Sequence, residues 1–153
     1  MIPLEIDFPR AKLAHLPTPL EPMPRLAAAL GLQAPLLVKR DDCTGLATGG
    51  NKVRQLEYYL GDALEKSATR ILITGAVQSN YVRAAAAAAA KTGLACSVQL
   101  EERVKGVDDL YRESGNVLLD RLLGADIHHF PEGEDEAGAD AALEALATQA
   151  RSA

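Results

Sequence analysis

A lysine stands directly after a glycine-rich turn, at the start of a stretch whose apolar spacing predicts a helix over residues 51–66. The turn ends in Gly49-Gly50-Asn51, and its two glycines allow the backbone to come close to a ligand. At Lys52 the positive end of the helix dipole disfavours the ammonium form and favours the free amine, the form that attacks a carbonyl carbon. The same pattern is also typical of a phosphate-binding turn or of a simple connection.

A second polar group follows the apolar segment at 70–75, which predicts a strand. Gln78 follows this strand, and Ser79 and Asn80 open a predicted helix over residues 79–92. A hydroxyl and backbone N–H groups at the start of a helix can receive an anion. Ser and Asn are equally typical of a helix cap, and the two interpretations are compatible.

Three motifs occur in an order that points to a known family. The segment 39–45 (Lys-Arg-Asp-Asp-Cys-Thr-Gly), followed by 49–52 (Gly-Gly-Asn-Lys), resembles the cofactor-lysine region of fold-type-II pyridoxal-phosphate enzymes. It is most similar to their D-cysteine desulfhydrase and 1-aminocyclopropane-1-carboxylate deaminase branch. Residues 78–80 resemble the second motif of that branch, and 16–20 (Leu-Pro-Thr-Pro-Leu) its N-terminal one. The resemblance runs along nearly all 153 residues.

The resemblance assigns a role to each of the polar residues. Lys52 is implied to be the catalytic residue, which binds pyridoxal phosphate covalently and then moves the α-proton of a small amino-acid substrate. Asn51 is implied to belong to the cofactor shell, and Asn80 to face the 3′-oxygen of the cofactor ring. The substrate carboxylate is expected near Gln78, Ser79 and Asn80. No metal is expected.

The implied activity is that of a lyase similar to D-cysteine desulfhydrase, which converts D-cysteine to pyruvate, sulfide and ammonia. Within the family, a 1-aminocyclopropane-1-carboxylate deaminase or a cysteate sulfo-lyase is the alternative. An alternative of another class is a non-catalytic truncated remnant or an association module. Full-length members of this family are expected to be homodimers.

Family members are considerably longer than this chain. Residues 1–50 are expected to form an N-terminal arm and a strand of the large domain, and residues 51–153 to form the small α/β domain. The rest of the large domain, with its glycine-rich phosphate loop, is expected to be absent. Gln55 stands where many relatives carry a second lysine for the phosphate. The chain is therefore expected to be a truncated product or a piece of a longer protein, and to be nearly inactive alone.

Short apolar segments alternate with helical patterns over most of the chain. The predicted strands lie at 35–40, 70–75, 95–100 and 125–130. The predicted helices lie at 51–66, 79–92, 114–123 and 136–150. This alternation is typical of the α/β class and predicts an open, twisted parallel sheet of about four strands with flanking helices. Six prolines among residues 1–24 predict an extended arm in front of it.

Composition excludes several other functions. The net charge of −5, without a basic cluster, argues against a nucleic-acid partner. No apolar run approaches the length of a membrane span, and the N-terminus lacks a signal-peptide pattern, so no membrane partner is expected. Cys43 and Cys96 lie far apart and are interpreted as free thiols of a reducing compartment. The predicted location is the cytoplasm.

Overall fold

The computed structural model of the chain describes residues 8–152. Its strands are β1 Leu20–Pro22, β2 Leu37–Lys39, β3 Arg70–Ala76, β4 Ala95–Glu101 and β5 Asp126–Phe130. Its α-helices are α1 Pro24–Ala29, α2 Lys52–Glu65, α3 Asn80–Thr92, α4 Asp109–Glu113, α5 Gly115–Leu122 and α6 Glu136–Ser152. Two short 3₁₀ turns, Asp41–Thr44 and Leu46–Thr48, precede α2. No helix among these residues combines the length and the apolarity needed to cross a membrane.

A parallel sheet with the order β3-β4-β5 forms the centre of the chain. Its register places Ile73 opposite Val98, and Val98 opposite Ile127. Parallel strands need a crossover connection, which α3 supplies between β3 and β4, and α4 with α5 between β4 and β5. The predicted α/β class with a parallel sheet and flanking helices is therefore confirmed.

The strand predicted at 35–40 forms but does not join this sheet. It is β2, and it pairs antiparallel with β1, with Leu20 opposite Lys39. The parallel sheet described for residues 8–152 thus has three strands where about four were predicted. Strand β1 was missed because its three residues end in a proline and follow another, so no alternating pattern is visible. The assignment of 1–50 to a separate large domain stays a prediction, and residues 1–7 lie outside the described part of the chain.

Helix α4 is a further difference from the sequence interpretation, because it is not among the predicted helices. Asp108 caps this helix, since its Oδ1 accepts a hydrogen bond from Tyr111 N at 2.9 Å. The chain then extends at Ser114 (φ −99°, ψ −173°), and α5 begins at Gly115. The predicted helix at 114–123 is therefore preceded by a separate short helix, and the extended residue Ser114 separates the two.

The alanine run lies in α3 and is buried on both sides. Residues Ala84 to Ala89 are at most 4% exposed. Ala86 and Ala89 pack in a core with Val98 and Leu100 of the sheet. Ala84, Ala85 and Ala88 belong to a second core. This core also contains the α2 residues Val53, Leu56 and Leu60.

A buried carboxylate joins α2 to the N-terminal arm. Glu57 is 2% exposed and accepts hydrogen bonds from Leu13 N at 3.0 Å, Ala14 N at 2.9 Å and Arg10 Nε at 2.7 Å. Burial raises the pKa of this carboxyl, but the N–H donors and the guanidinium outweigh burial, so its pKa lies below the ordinary value. The ionised form of Glu57 therefore holds the arm against the helix.

Substitution of Glu57 by Gln is expected to destabilise the chain by about 3 kcal/mol, because it removes the buried charge that Arg10 neutralises. Since the folded-state pKa is lowered, the contribution of Glu57 is fully present above the unfolded pKa of about 4.3 and is lost as the pH falls through the folded value. Thermal melts between neutral and acid pH should show a steeper acid loss of Tm for the wild-type chain than for Glu57→Gln.

The matched control for this prediction is Glu65→Gln, which changes an exposed carboxylate of the same helix. Its melting curves should follow those of the wild-type chain. Parallel acid profiles for Glu57→Gln and the wild-type chain would contradict the role given to Glu57.

Candidate active site

The turn before α2 has a backbone that requires glycine. Gly49 has a φ angle of 78° and Gly50 one of 115°, values that residues other than glycine rarely adopt. A Cβ atom at Gly49 would collide with the carbonyl oxygen of Asp42. Gly50 N donates to Asp41 O at 3.0 Å, which folds the turn back on itself. The turn therefore fixes the direction in which the backbone enters helix α2 at Lys52.

Lys52 is the first residue of α2 and is half-buried. Among residues 8–152 its amine has neither a hydrogen-bond partner nor an ion pair, whereas Lys39 donates to Thr18 O and Lys66 pairs with Asp62. The amine of Lys52 is therefore available to a ligand.

Two of the three sequence motifs, the N-terminal one and the lysine region, meet at Asp41. Arg54 Nε donates to Asp41 Oδ2 at 2.7 Å, and its Nη2 donates to Thr18 Oγ1 at 2.8 Å. Thr18 Oγ1 in turn donates to Asp41 Oδ1 at 3.1 Å. The guanidinium of Arg54 holds the pKa of Asp41 below its ordinary value. Arg54 and Asp41 thus position the lysine turn against the N-terminal motif, a function that sequence interpretation did not assign to them.

Ser79 serves as the cap of α3. Its backbone is extended, and its Oγ accepts a hydrogen bond from Val82 N at 3.3 Å. The helix-cap interpretation is confirmed. Asn80 is the first residue of the helix, so α3 begins beside the turn that carries Lys52.

Gln78 anchors the segment around α4 and α5. Its Nε2 donates to Tyr111 O at 2.6 Å and to Ser114 O at 2.9 Å. Its Oε1 accepts from Asn116 N at 2.9 Å. These contacts occupy both ends of the carboxamide, and the substrate contact implied for Gln78 stays a prediction.

A cavity of about 230 Å³ brings three of the predicted residues together. Lys52, Asn51 and Asn80 all line it, between the first turns of α2 and α3. Gln78 and Ser79 lie next to Asn80 in the chain but are outside this lining. The cavity therefore unites the implied lysine and the implied ring contact, which are 28 positions apart in the sequence.

A larger cleft lies at the carboxyl ends of β4 and β5. Its volume is about 480 Å³, and it is lined by residues from 102–106 and from 131–134 together with Arg112. Its charges are partly paired already, with Arg112 Nε 3.1 Å from Glu102 Oε1. It contains neither Lys52 nor Asn80, so the smaller cavity is the candidate active site.

The cavity also contains a buried cation that sequence interpretation missed. Arg83 is 9% exposed and donates from Nη2 to Gly49 O and from Nη1 to Asn116 Oδ1, each at 3.2 Å. Burial raises the pKa of the nearby Asp120 to about 7, and the charge of Arg83 opposes this effect. An arginine at the edge of a buried alanine run was the available signal, since a charge there must have a partner.

Comparison with known proteins identifies the family. A family model described as "Pyridoxal-phosphate dependent enzyme" matches residues 11–153. The chain belongs to this family. The family assignment implied by the three sequence motifs is confirmed, and so is the dependence of the family on pyridoxal phosphate.

Several relatives of this chain carry the name of a deaminase. It is 47% identical over 134 residues to a 1-aminocyclopropane-1-carboxylate deaminase of Bradyrhizobium sp. (strain BTAi1), covering 86% of this chain and 40% of the relative. It is 46% identical over 129 residues to the enzyme of that name from Rhizobium leguminosarum bv. viciae, covering 84% and 38%. A crystal structure of an ACC deaminase homologue matches with a TM-score of 0.75 and 37% identity, covering 94% of this chain and 42% of that one. The chain thus spans about two fifths of the length of these relatives.

The donor set of the cavity fits pyridoxal phosphate. An amine without a partner stands at its wall, and Asn80 supplies a carboxamide at the start of α3. The glycine turn leaves open the space that side chains would fill. Among residues 8–152, the only cations in the lining are Lys52 and Arg83, and both NH₂ groups of Arg83 already donate to protein oxygens. The residues described thus fit the aldehyde and ring of the cofactor better than its phosphate.

Proposed function

We propose that this chain supplies the part that carries the cofactor-binding lysine in a pyridoxal-phosphate-dependent lyase or deaminase that acts on a small amino acid. The observation that carries the proposal is the amine of Lys52, which has no partner among residues 8–152 and shares one cavity with Asn80 at the adjoining starts of two helices. The identity to named deaminases over more than four fifths of the chain supports it.

Lys52 has two tasks in this proposal. Its amine holds the cofactor covalently and, once displaced by the amine of the substrate, takes or returns a proton at the carbon atoms of the substrate. Bound pyridoxal phosphate supplies an electron sink for carbanion chemistry.

The start of α3 has the complementary task of binding. Asn80 is proposed to contact the 3′-oxygen of the ring, and Asn51 to complete the cofactor shell. The substrate carboxylate is proposed to lie near Ser79, Gln78 and Asn80, where the dipole of α3 favours a negative charge.

Two substrates follow from different observations. The names of the relatives favour 1-aminocyclopropane-1-carboxylate, whose hydrolytic ring opening gives 2-oxobutanoate and ammonia. D-cysteine, the substrate implied by the sequence motifs, is favoured by Lys52 itself, because this base can remove the α-proton that begins an elimination. The cyclopropane substrate has no α-proton, so its reaction must begin with a different step.

The working protein is proposed to be a cytoplasmic homodimer with a small-molecule substrate, as the family resemblance implies. The net charge of −5 supports a partner other than nucleic acid.

The substrate is expected to be decided by product analysis on a chimaeric protein in which this chain is followed by the remaining length of the Bradyrhizobium relative. We expect 2-oxobutanoate from 1-aminocyclopropane-1-carboxylate, and a slower release of pyruvate and sulfide from D-cysteine. The same chimaera with Lys52→Ala is the matched control and should lose both products. Product formation that persists in this control, or the absence of both products from a chimaera that binds the cofactor, would contradict the proposed function.

A further inference from the structure

Asn116, near the start of α5, makes four hydrogen bonds beside the candidate active site. Its backbone N donates to Gln78 Oε1 at 2.9 Å, and its Nδ2 donates to Gln78 O at 2.8 Å. Its Oδ1 accepts from Arg83 Nη1 at 3.2 Å. Its Nδ2 also lies 3.1 Å from Asn80 Oδ1. No motif in the sequence pointed to this residue.

Two of these partners determine which way the Asn116 carboxamide faces. A backbone carbonyl only accepts hydrogen bonds, so the atom next to Gln78 O must be the NH₂ group. A guanidinium only donates, so the atom next to Arg83 must be the oxygen. The two requirements agree, and the opposite orientation would violate both.

The orientation of Asn116 in turn determines that of Asn80. Because Asn116 presents NH₂ at 3.1 Å, Asn80 must present its oxygen to it. The NH₂ group of Asn80 then has no partner among residues 8–152 and remains available to the cavity that Asn80 lines with Lys52.

We propose that Asn116 is a positioning residue, which holds the Asn80 carboxamide so that its NH₂ group is offered as a hydrogen-bond donor to a ligand in the cavity. As far as the ligand is the ring oxygen of pyridoxal phosphate, the inference rests on the function proposed above. The fixed direction of Asn80 is a property of the chain itself and is independent of the ligand.

The surroundings of Asn116 hold it in place. Gly115 has φ of 59°, and a Cβ atom there would lie 2.7 Å from Gln78 Oε1, so a glycine lets α5 approach this side chain closely. Arg83 is buried and donates its other terminal nitrogen to Gly49 O of the lysine turn. Asn116 is therefore joined through Arg83 to the turn that positions Lys52, and directly to Asn80.

The orientation of the Asn80 carboxamide affects the ionisation of the cofactor ring oxygen. A donor that faces the ring oxygen stabilises its ionised form and lowers its pKa. If Asn80 turned its own oxygen towards the ring, the two acceptors would repel each other and that pKa would rise. Asn116 thus acts on the cofactor through Asn80 and touches no reacting atom.

The substitution that isolates this role is Asn116→Asp. The new carboxylate still accepts from Arg83 Nη1, but it cannot donate to Asn80 Oδ1 or to Gln78 O. It can accept from Asn80, so the Asn80 carboxamide is expected to turn round. The control is Asp108→Ala, which removes the cap of α4 in the same part of the chain without touching Asn80.

The first measurement needs no ligand. In ¹⁵N-labelled 153-residue chain, the NH₂ group of Asn80 is expected to exchange rapidly with water, because it lacks a partner. In Asn116→Asp the same group is expected to exchange at least tenfold more slowly, since it then donates to a carboxylate. The Asp108→Ala control should resemble the wild-type chain. An Asn80 signal that is the same in the wild-type chain and in Asn116→Asp overturns the inference.

The second measurement uses the chimaera described above with pyridoxal phosphate at saturating concentration, and follows the pH dependence of the cofactor absorbance. The pKa of the ring oxygen is expected to rise by about one unit in Asn116→Leu, which removes the carboxamide without adding a charge, and by a similar amount in Asn80→Ala, because a hydrogen bond to a charged group is lost. In the double variant we expect no further rise, since both changes remove one interaction.

The outcomes separate the two claims. Additive shifts in the double variant would mean that Asn116 does not act through Asn80, and would overturn the inference even if the cofactor binds. A chimaera that forms no bond between Lys52 and the cofactor would contradict the proposed function, while the exchange measurement would still decide the orientation of Asn80.

Discussion

Substitution of Lys52 by Ala is expected to abolish the covalent attachment of pyridoxal phosphate and to lower any turnover by at least about 10²-fold, the smallest contribution typical of a positioned acid–base group. The structural reason is that the Lys52 amine alone combines a place in the candidate cavity, a helix start and the lack of a partner among residues 8–152. Borohydride reduction followed by peptide mapping should find the pyridoxyl group on Lys52.

Two other lysines provide the controls for this result. Lys66 is paired with Asp62 at 2.8 Å on the exposed end of α2, and Lys39 donates to Thr18 O. Lys66→Ala should leave the attachment unchanged. A pyridoxyl group found on Lys39 or Lys66, with Lys52 unlabelled, would refute the assignment of the lysine.

The 153-residue chain alone is expected to be nearly inactive. A phosphate dianion needs several donors, and charge-assisted hydrogen bonds contribute roughly 1.5–3 kcal/mol each. The candidate cavity supplies few of them, because its only cations among residues 8–152 are Lys52 and Arg83, two donors of Arg83 are already used by protein oxygens, and Gln55 carries no charge. Two or three missing bonds amount to about 5 kcal/mol, or more than three decades in cofactor affinity.

The measurement for this prediction compares the chain with the chimaera that adds the remaining length of the Bradyrhizobium relative. Both are assayed with excess pyridoxal phosphate for keto-acid release from D-cysteine and from 1-aminocyclopropane-1-carboxylate. The chimaera with Lys52→Ala reports the background due to free cofactor. Turnover by the chain alone at the level of the chimaera would show that the described residues already form a complete site.

The periodicity of apolar residues in the sequence was sufficient to predict the helices and strands that bury one clear apolar face. The strands at 70–75, 95–100 and 125–130 and the helices that begin at Lys52 and Asn80 were predicted within a few residues. The antiparallel pairing of Leu20–Pro22 was not predictable, because prolines hide the alternation on which strand prediction depends. The separate helix Asp109–Glu113 was missed because its stability comes from the cap at Asp108 and not from an apolar pattern.

The candidate active site likewise contains some residues that the sequence indicated and others that it did not. Lys52 and Asn80 were indicated by their motifs, and the structure brings both to one cavity. Arg83 and Asn116 were not indicated, because their importance lies in contacts between residues more than 30 positions apart. Glu57 was missed for a similar reason, since its donors lie on an arm 43 to 47 positions earlier. Such pairings depend on the packing of elements, which a single sequence does not reveal.

The alanine helix has a consequence for the evolution of the site. Helix α3 has the sheet on one side and α2 on the other, and methyl groups fill the space on both sides. A larger residue at Ala85 or Ala88 would push α2 outward and carry Lys52 away from Asn80. The dimensions of the cavity thus depend on side chains that bear no functional group, and substitutions of these alanines can change them during evolution without a change in the residues that line the cavity.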